Sequence, residues 1–87
     1  MYLHLGQNTV VNMKDIVGVF EMDHSTVSKH TRKYLTRAQK EHRVVNVSME
    51  LPKSFIVCRE GDREMVYLSQ ISTATLLRRA SLQNMNL

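Results

Sequence analysis

Along most of the chain the apolar positions alternate or run in short blocks; in only two places do they recur every third or fourth residue. Tyr2, Leu3 and Leu5 read as a short strand, residues 2–5, closed by the turn-prone trio Gly6-Gln7-Asn8. Residues 9–11 resume extended structure. Residues 15–20 are a third β-rich segment, in which Ile16, Val17, Val19 and Phe20 bracket Gly18. Over residues 44–49, Val45, Val47 and Met49 alternate with Asn46 and Ser48, the pattern of a half-buried strand. Glu50-Leu51-Pro52-Lys53 interrupts it, since Pro52 cannot donate to a ladder. Residues 55–59 and 65–69 are two further strands, joined as an antiparallel hairpin by Glu60-Gly61-Asp62-Arg63-Glu64.

Helical spacing appears first where Val27, Thr31, Tyr34, Leu35 and Ala38 make one apolar stripe. Asp23, Ser25 and Thr26 can cap such a helix, so the expected span is about 25–42. Lys40, His42 and Arg43 suit its negative dipole end. The second helix is expected to be short, opening at Ser72-Thr73-Ala74-Thr75 and running through Leu76, Leu77 and Ala80. The order β-β-β-α-β-β-β-α predicts a small single α+β domain over residues 1–82. It has a mainly antiparallel sheet of five to six short strands, one long amphipathic helix and one short C-terminal helix. Residues 83–87 are expected to form a frayed tail.

Charge changes the picture most at the first helix. Between Lys29 and Arg43 stand Lys29, Arg32, Lys33, Arg37, Lys40 and Arg43, half of the 12 basic residues, with one acid, Glu41. The whole chain carries a net charge of +4 over 87 residues. Clustered cations release counterions together from one phosphate track, so a basic helix back suits a polyanion as well as plain solvation. Two Phe, three Tyr and no Trp leave a thin core of aliphatic residues and Met, which homo-oligomerisation would complete. The single cysteine, Cys58, excludes an intrachain disulfide and fits a reducing, cytoplasmic setting. No run approaches a membrane span of ~20 apolar residues, and no signal-peptide pattern opens the chain.

Catalytic chemistry has no visible apparatus. His4, His24, His30 and His42 lack metal-helix spacing, and Cys58 sits in an apolar run where a structural thiol is expected. Gly6, Gly18 and Gly61 are isolated, so no loop cradles phosphate. Arg78-Arg79-Ala80-Ser81 has the look of a basic-directed kinase site, but four residues carry little weight. Ser25-Thr26-Val27-Ser28-Lys29 could open a recognition helix. The connection 20–24 is too long for a helix–turn–helix, and residues 16–20 are too β-branched to be its first helix. The expectation is no enzyme, no cofactor, no metal and no small-molecule substrate.

Five segments together resemble a known family. They are Tyr2-Leu3-His4-Leu5-Gly6, Val10-Val11, Lys14-Asp15-Ile16-Val17-Gly18-Val19-Phe20, Leu51-Pro52-Lys53-Ser54 and Ile71-Ser72-Thr73-Ala74-Thr75-Leu76-Leu77-Arg78-Arg79. Their order and spacing resemble the RemA/RemB extracellular-matrix regulatory proteins of Gram-positive bacteria, the RemB branch most closely. The resemblance implies a subunit that assembles into a ring. In the RemA branch, ring arginines bind DNA and switch on biofilm-matrix and osmoprotection operons. This chain departs from that pattern: RemA-type proteins carry arginine at the position of Asp15 and an arginine pair at Leu51-Pro52, leaving only Lys53 basic in that loop. The substitutes are Lys29, Arg32, Lys33, Arg37 and Lys40, with Arg78 and Arg79 second. The expected function is a ring-shaped, DNA-binding regulator of matrix gene expression acting mainly on phosphates. The alternative is a ring-forming scaffold that binds protein through Leu51 and has no DNA contact.

Overall fold

A computed structural model describes the backbone at residues 1–22 and 28–85 and side chains through residue 82. The elements in chain order are β1 (Tyr2–Gly6), β2 (Thr9–Asn12), a 3-10 turn (Met13–Asp15), β3 (Ile16–Glu21), α1 (Lys29–Lys40), β4 (Val44–Asn46), β5 (Ser54–Glu60), β6 (Arg63–Ser69) and α2 (Thr73–Met85). The expected α+β class and element order hold. Asp15, expected in a strand, closes the 3-10 turn, which Asn12 caps by accepting from the Lys14 N–H.

Two sheets form. β1 and β2 make an antiparallel pair, and the other four strands lie in the order β3-β5-β6-β4. β5 pairs antiparallel with both β3 and β6, while β4 runs parallel to β6. The mainly antiparallel sheet therefore carries one parallel edge. That edge is short: the strand expected over 44–49 ends at Asn46. Val47 still turns into the core, but Met49 stands wholly in solvent. The β5–β6 hairpin is tighter than expected, since Glu60 pairs with Arg63 and only Gly61 and Asp62 turn, with Gly61 at φ +66°.

Strand β5 explains the layering. Residues Ser54 to Cys58 are all buried, so both faces of this strand are covered. Phe55 and Val57 meet Val66, Ala38, Tyr34 and Leu35 under α1. Ile56 and Cys58 face the other way, into Leu3, Leu5, Val11, Val47 and Leu76 from the β1–β2 pair, the β4–β5 loop and α2. The four-stranded sheet is the middle of three layers, with α1 on one side and the hairpin plus α2 on the other. At the β1–β2 turn, Gly6 takes φ +118°, which a side chain resists.

Both helices differ in extent from expectation. Ser28 is extended, at φ −69° and ψ 160°, and its Oγ accepts the Thr31 N–H at 3.1 Å, so α1 starts at Lys29. The expected start residues Asp23, Ser25 and Thr26, with Val27 of the stripe, lie outside the described residues. Glu41 caps the C-terminal end and His42 enters the left-handed region at φ 59°, stopping the helix before 42. α2 has 13 residues against 12 in α1, so the C-terminal helix is not the short one. No Gly or Pro follows Thr73 to break it, and it continues past Ala80 to Met85. Within the expected tail 83–87, side chains and the last two residues lie outside the described set.

Two buried hydroxyls tie the layers. Ser69 donates to the Leu5 carbonyl at 2.7 Å and accepts from the Ile71 N–H at 3.0 Å; Ser54 donates to the Ile71 carbonyl at 2.8 Å. Ser69→Ala would strand a buried carbonyl and a half-buried N–H together. We expect a loss of about 1–3 kcal/mol in urea unfolding, against near-neutrality for an exposed serine such as Ser81→Ala.

Candidate polyanion-binding face

Helix α1 separates its residues by polarity. Tyr34, Leu35 and buried Ala38 face the sheet. Lys29, Arg32, Lys33, Thr36, Arg37 and Lys40 line a shallow surface depression of about 430 Å³ on the opposite side. Eleven residue steps of ~1.5 Å spread these cations over about 16 Å of helix. The first turn holds no acid and begins with Lys29. Cations there oppose the helix dipole, a cost to the helix, while adding to its positive N-terminal potential.

The partners of the basic residues sort them into two groups. Arg43 donates to Glu41 at 2.8 Å and to the Glu64 carbonyl at 3.0 Å, and its guanidinium lies 5.9 Å from the Tyr34 ring centroid. Arg59 approaches Glu64 at 3.9 Å, and Arg63 donates to the His42 carbonyl at 2.8 Å. Arg43 and Arg63 stitch the sheet end to the α1 C-terminus, whereas exposed Arg59 makes only its loose contact across the β5–β6 hairpin. By contrast, Lys29, Arg32, Lys33 and Lys40 form no ion pair among the described residues. Arg37 has only a loose, exposed contact with Glu41 at 4.0 Å. The helix cations singled out from the sequence are thus brought together on one face with their charge unspent. Arg43, in the same basic stretch, is not one of them.

The remaining predicted residues lie elsewhere. Lys53 is exposed just before β5, where its backbone N–H donates to Ser69. Arg78 and Arg79 sit on α2, in the layer across the sheet from α1. Arg79 spends a donor on the His4 carbonyl at 3.1 Å. Asp15 and Glu60 lie close enough to Cys58 and Tyr67 to disfavour loss of their protons. Leu51 is exposed in the β4–β5 loop beside Met49. Its neighbour Pro52 is half-buried.

No group of three or more His, Cys, Asp or Glu among the described residues is arranged to hold a metal ion. Burial pushes the Cys58 thiol up to about 12, with Glu60 and Asp15 adding to the shift. Burial, then the hydrogen bond to Glu60, also raises the Tyr67 phenol. Tyr34 is raised by burial and by its 2.5 Å bond to Glu64. These acids hold their protons longer folded than unfolded, so their contribution is complete below their ordinary values and is lost as pH rises. Stability should therefore fall from about pH 9 upward, as the unfolded Cys58 thiol ionises first. Thermal unfolding from pH 7 to pH 11 measures this, and Cys58→Ser should flatten the first part of the decline. For the same reason, Cys58 should resist alkylation at pH 8 until denaturant is added.

No described helix is long and apolar enough to cross a membrane. Residues 2–80 match the RemA-like family, described as extracellular matrix regulatory protein A-like. The chain is also 35% identical over 80 residues to the extracellular matrix regulatory protein B of Bacillus subtilis (strain 168), covering 92% of this chain and 90% of that one. A match that runs from β1 into α2 and spans nearly the full length places this chain in the RemA-like family of extracellular matrix regulatory proteins.

Proposed function

We propose that this family member is a non-enzymatic cytoplasmic regulator of matrix genes in biofilm formation that binds DNA as a ring-shaped homo-oligomer, with α1 as its phosphate-contacting face. The observation that carries this reading is the set of cations Lys29, Arg32, Lys33 and Lys40, unpaired among the described residues, with loosely held Arg37, on one exposed helix face. Such a face follows a phosphate track without reading bases, and its affinity comes from released counterions. Repetition around an oligomer multiplies a weak single contact through effective concentration. Lys53, Arg78 and Arg79 are auxiliary contacts at most, since they lie apart from α1. DNA retention across a salt series tests the reading. With about four phosphates met by a pair of subunits, the log–log slope is about −3.6. A flat salt response would overturn it.

A second reading rests on a different surface. Met49 is wholly exposed and Leu51 is 71% exposed in one loop, where the resemblance implies arginine at Leu51-Pro52 in the DNA-binding branch. A ring-forming scaffold would use these apolar side chains against a protein. Recovery of a specific protein partner lost in Leu51→Asp, with no DNA held at low salt, would select it.

A further inference from the structure

One carboxylate is held against the C-terminal end of the α1 cation row. Glu41 is the single acid between Lys29 and Arg43, and its N–H donates to the Arg37 carbonyl at 3.0 Å, closing the helix. Arg63 fixes the backbone there, donating to the Glu41 carbonyl at 3.3 Å and to the His42 carbonyl at 2.8 Å. Arg43 fixes the side chain: its Nε donates to Glu41 Oε1 at 2.8 Å. The Arg43 side chain is itself only 14% exposed and is held by the Glu64 carbonyl at 3.0 Å. The second carboxylate oxygen, Oε2, is left facing Arg37, whose Nε stands 4.0 Å away.

We propose that Glu41 is a built-in competitor for phosphate at Arg37, confining DNA contact to the earlier cations of α1. This role rests on the DNA-binding reading and deepens it, by naming the residue that limits the contact. Two effects act together. The carboxylate offsets the Arg37 charge locally, so a phosphate arriving there releases fewer counterions. That phosphate would also stand close to Oε2, and like charges so placed repel. An exposed pair at 4.0 Å contributes little stability, so Arg37 is not locked. The restraint lies instead in the anion's position: Arg43 keeps Glu41 from swinging away as phosphate approaches.

The cations of α1 are then graded along its axis. Among the described residues no acid pairs with Lys29, Arg32 or Lys33, and the first turn carries none. The positive end of the helix dipole adds to their attraction for an anion. Arg37 and Lys40 lie in the last turn, at the negative end and beside Glu41. The two phosphate contacts expected per subunit therefore fall on the first half of the helix. Removing the Glu41 charge extends the track by one phosphate, at Arg37.

DNA retention across a salt series, with a double-mutant cycle on Glu41 and Arg37, is the test, beside circular dichroism to confirm folding. Glu41→Gln keeps an oxygen acceptor for Arg43 and removes only the charge. It should add one phosphate contact per subunit, two per pair, steepening the log–log slope from about −3.6 to about −5.4. Retention at ~0.15 M salt should rise about 30-fold, taking 1 M as the point where the two forms meet. Arg37→Ala should cost less than about twofold in the wild type, yet remove the whole gain in Glu41→Gln. Lys33→Ala should cost the same factor in both backgrounds. An unchanged slope in Glu41→Gln, or a gain that survives Arg37→Ala, would overturn the role of Glu41. If the wild type meanwhile holds DNA with the stated slope, the DNA-binding reading stands without it. If neither form holds DNA at low salt, both fall.

Discussion

Arg32→Glu, Lys33→Glu and Arg37→Glu introduced together should abolish DNA retention while leaving the assembly mass unchanged. Two phosphate contacts per subunit, four per pair, are worth about 10³-fold in affinity at ~0.15 M salt relative to 1 M. Three reversals on each helix remove all of them and add repulsion, so the salt slope should fall from about −3.6 to near zero. All three side chains are exposed, and only Arg37 touches a described acid. The fold should therefore shift by less than about 0.5 kcal/mol per site. Glu near the helix start even improves the dipole interaction of a first turn that has no acid. Arg78→Glu is the comparison that locates the face. It makes one reversal of the same kind on the layer across the sheet, and it should weaken retention only a few-fold. Equal losses from both would sink the assignment to α1.

The largest stability effect is expected at Ile56. It has no exposed surface and sits at the centre of β5, against Leu3, Leu5 and Leu76 from two other elements. Ile56→Ala removes three carbons from a site that two packed elements prevent from collapsing, at a cost of about 3–5 kcal/mol. For a domain of this size total stability is on the order of 5–15 kcal/mol, and each kcal/mol moves Tm by about 4–8 °C. A Tm drop of about 15 °C or more is expected in calorimetry. Val17→Ala deletes a side chain of similar kind from an exposed place, and should move Tm by only a few degrees. If the two behave alike, the three-layer packing around β5 is wrong.

The contrast between Ile56 and Val17 shows how much of this fold the chain pattern carried. Both are β-branched residues in strand-like runs, and nothing in their immediate neighbours tells them apart. The run Phe55-Ile56-Val57-Cys58 read as a strand, but its coverage on both faces came from α1 on one side and the β1–β2 pair with α2 on the other. The bare edge of β3 depends on strand order, which is set by contacts between residues some forty positions apart. The same holds for the parallel pairing of β4 with β6: a three-residue strand has the same alternation in either direction.

The candidate site was more legible, because it lies on one helix. A period of 3.6 places residues 29, 32, 33, 37 and 40 together without help from the rest of the molecule. Which cations meet no acid among the described residues was not legible. Arg43 belongs to the same basic stretch by position. It is withdrawn only because β6 brings Glu64 beside it and Glu41 folds back upon it.

By itself the sequence determined the helix and strand content, the charged back of α1 and the family, all of which are local or cumulative properties of the chain. Tertiary structure alone decided that α1 and α2 lie on opposite faces of one sheet, so that their basic residues form two patches. It also decided that Arg43 and Arg63 are held by the α1 C-terminus and β6 while Lys29, Arg32, Lys33 and Lys40 meet no acid among the described residues. The physical reason is reach. Periodicity acts within a turn or a pleat, whereas ion pairing and layer order depend on which distant strands become neighbours.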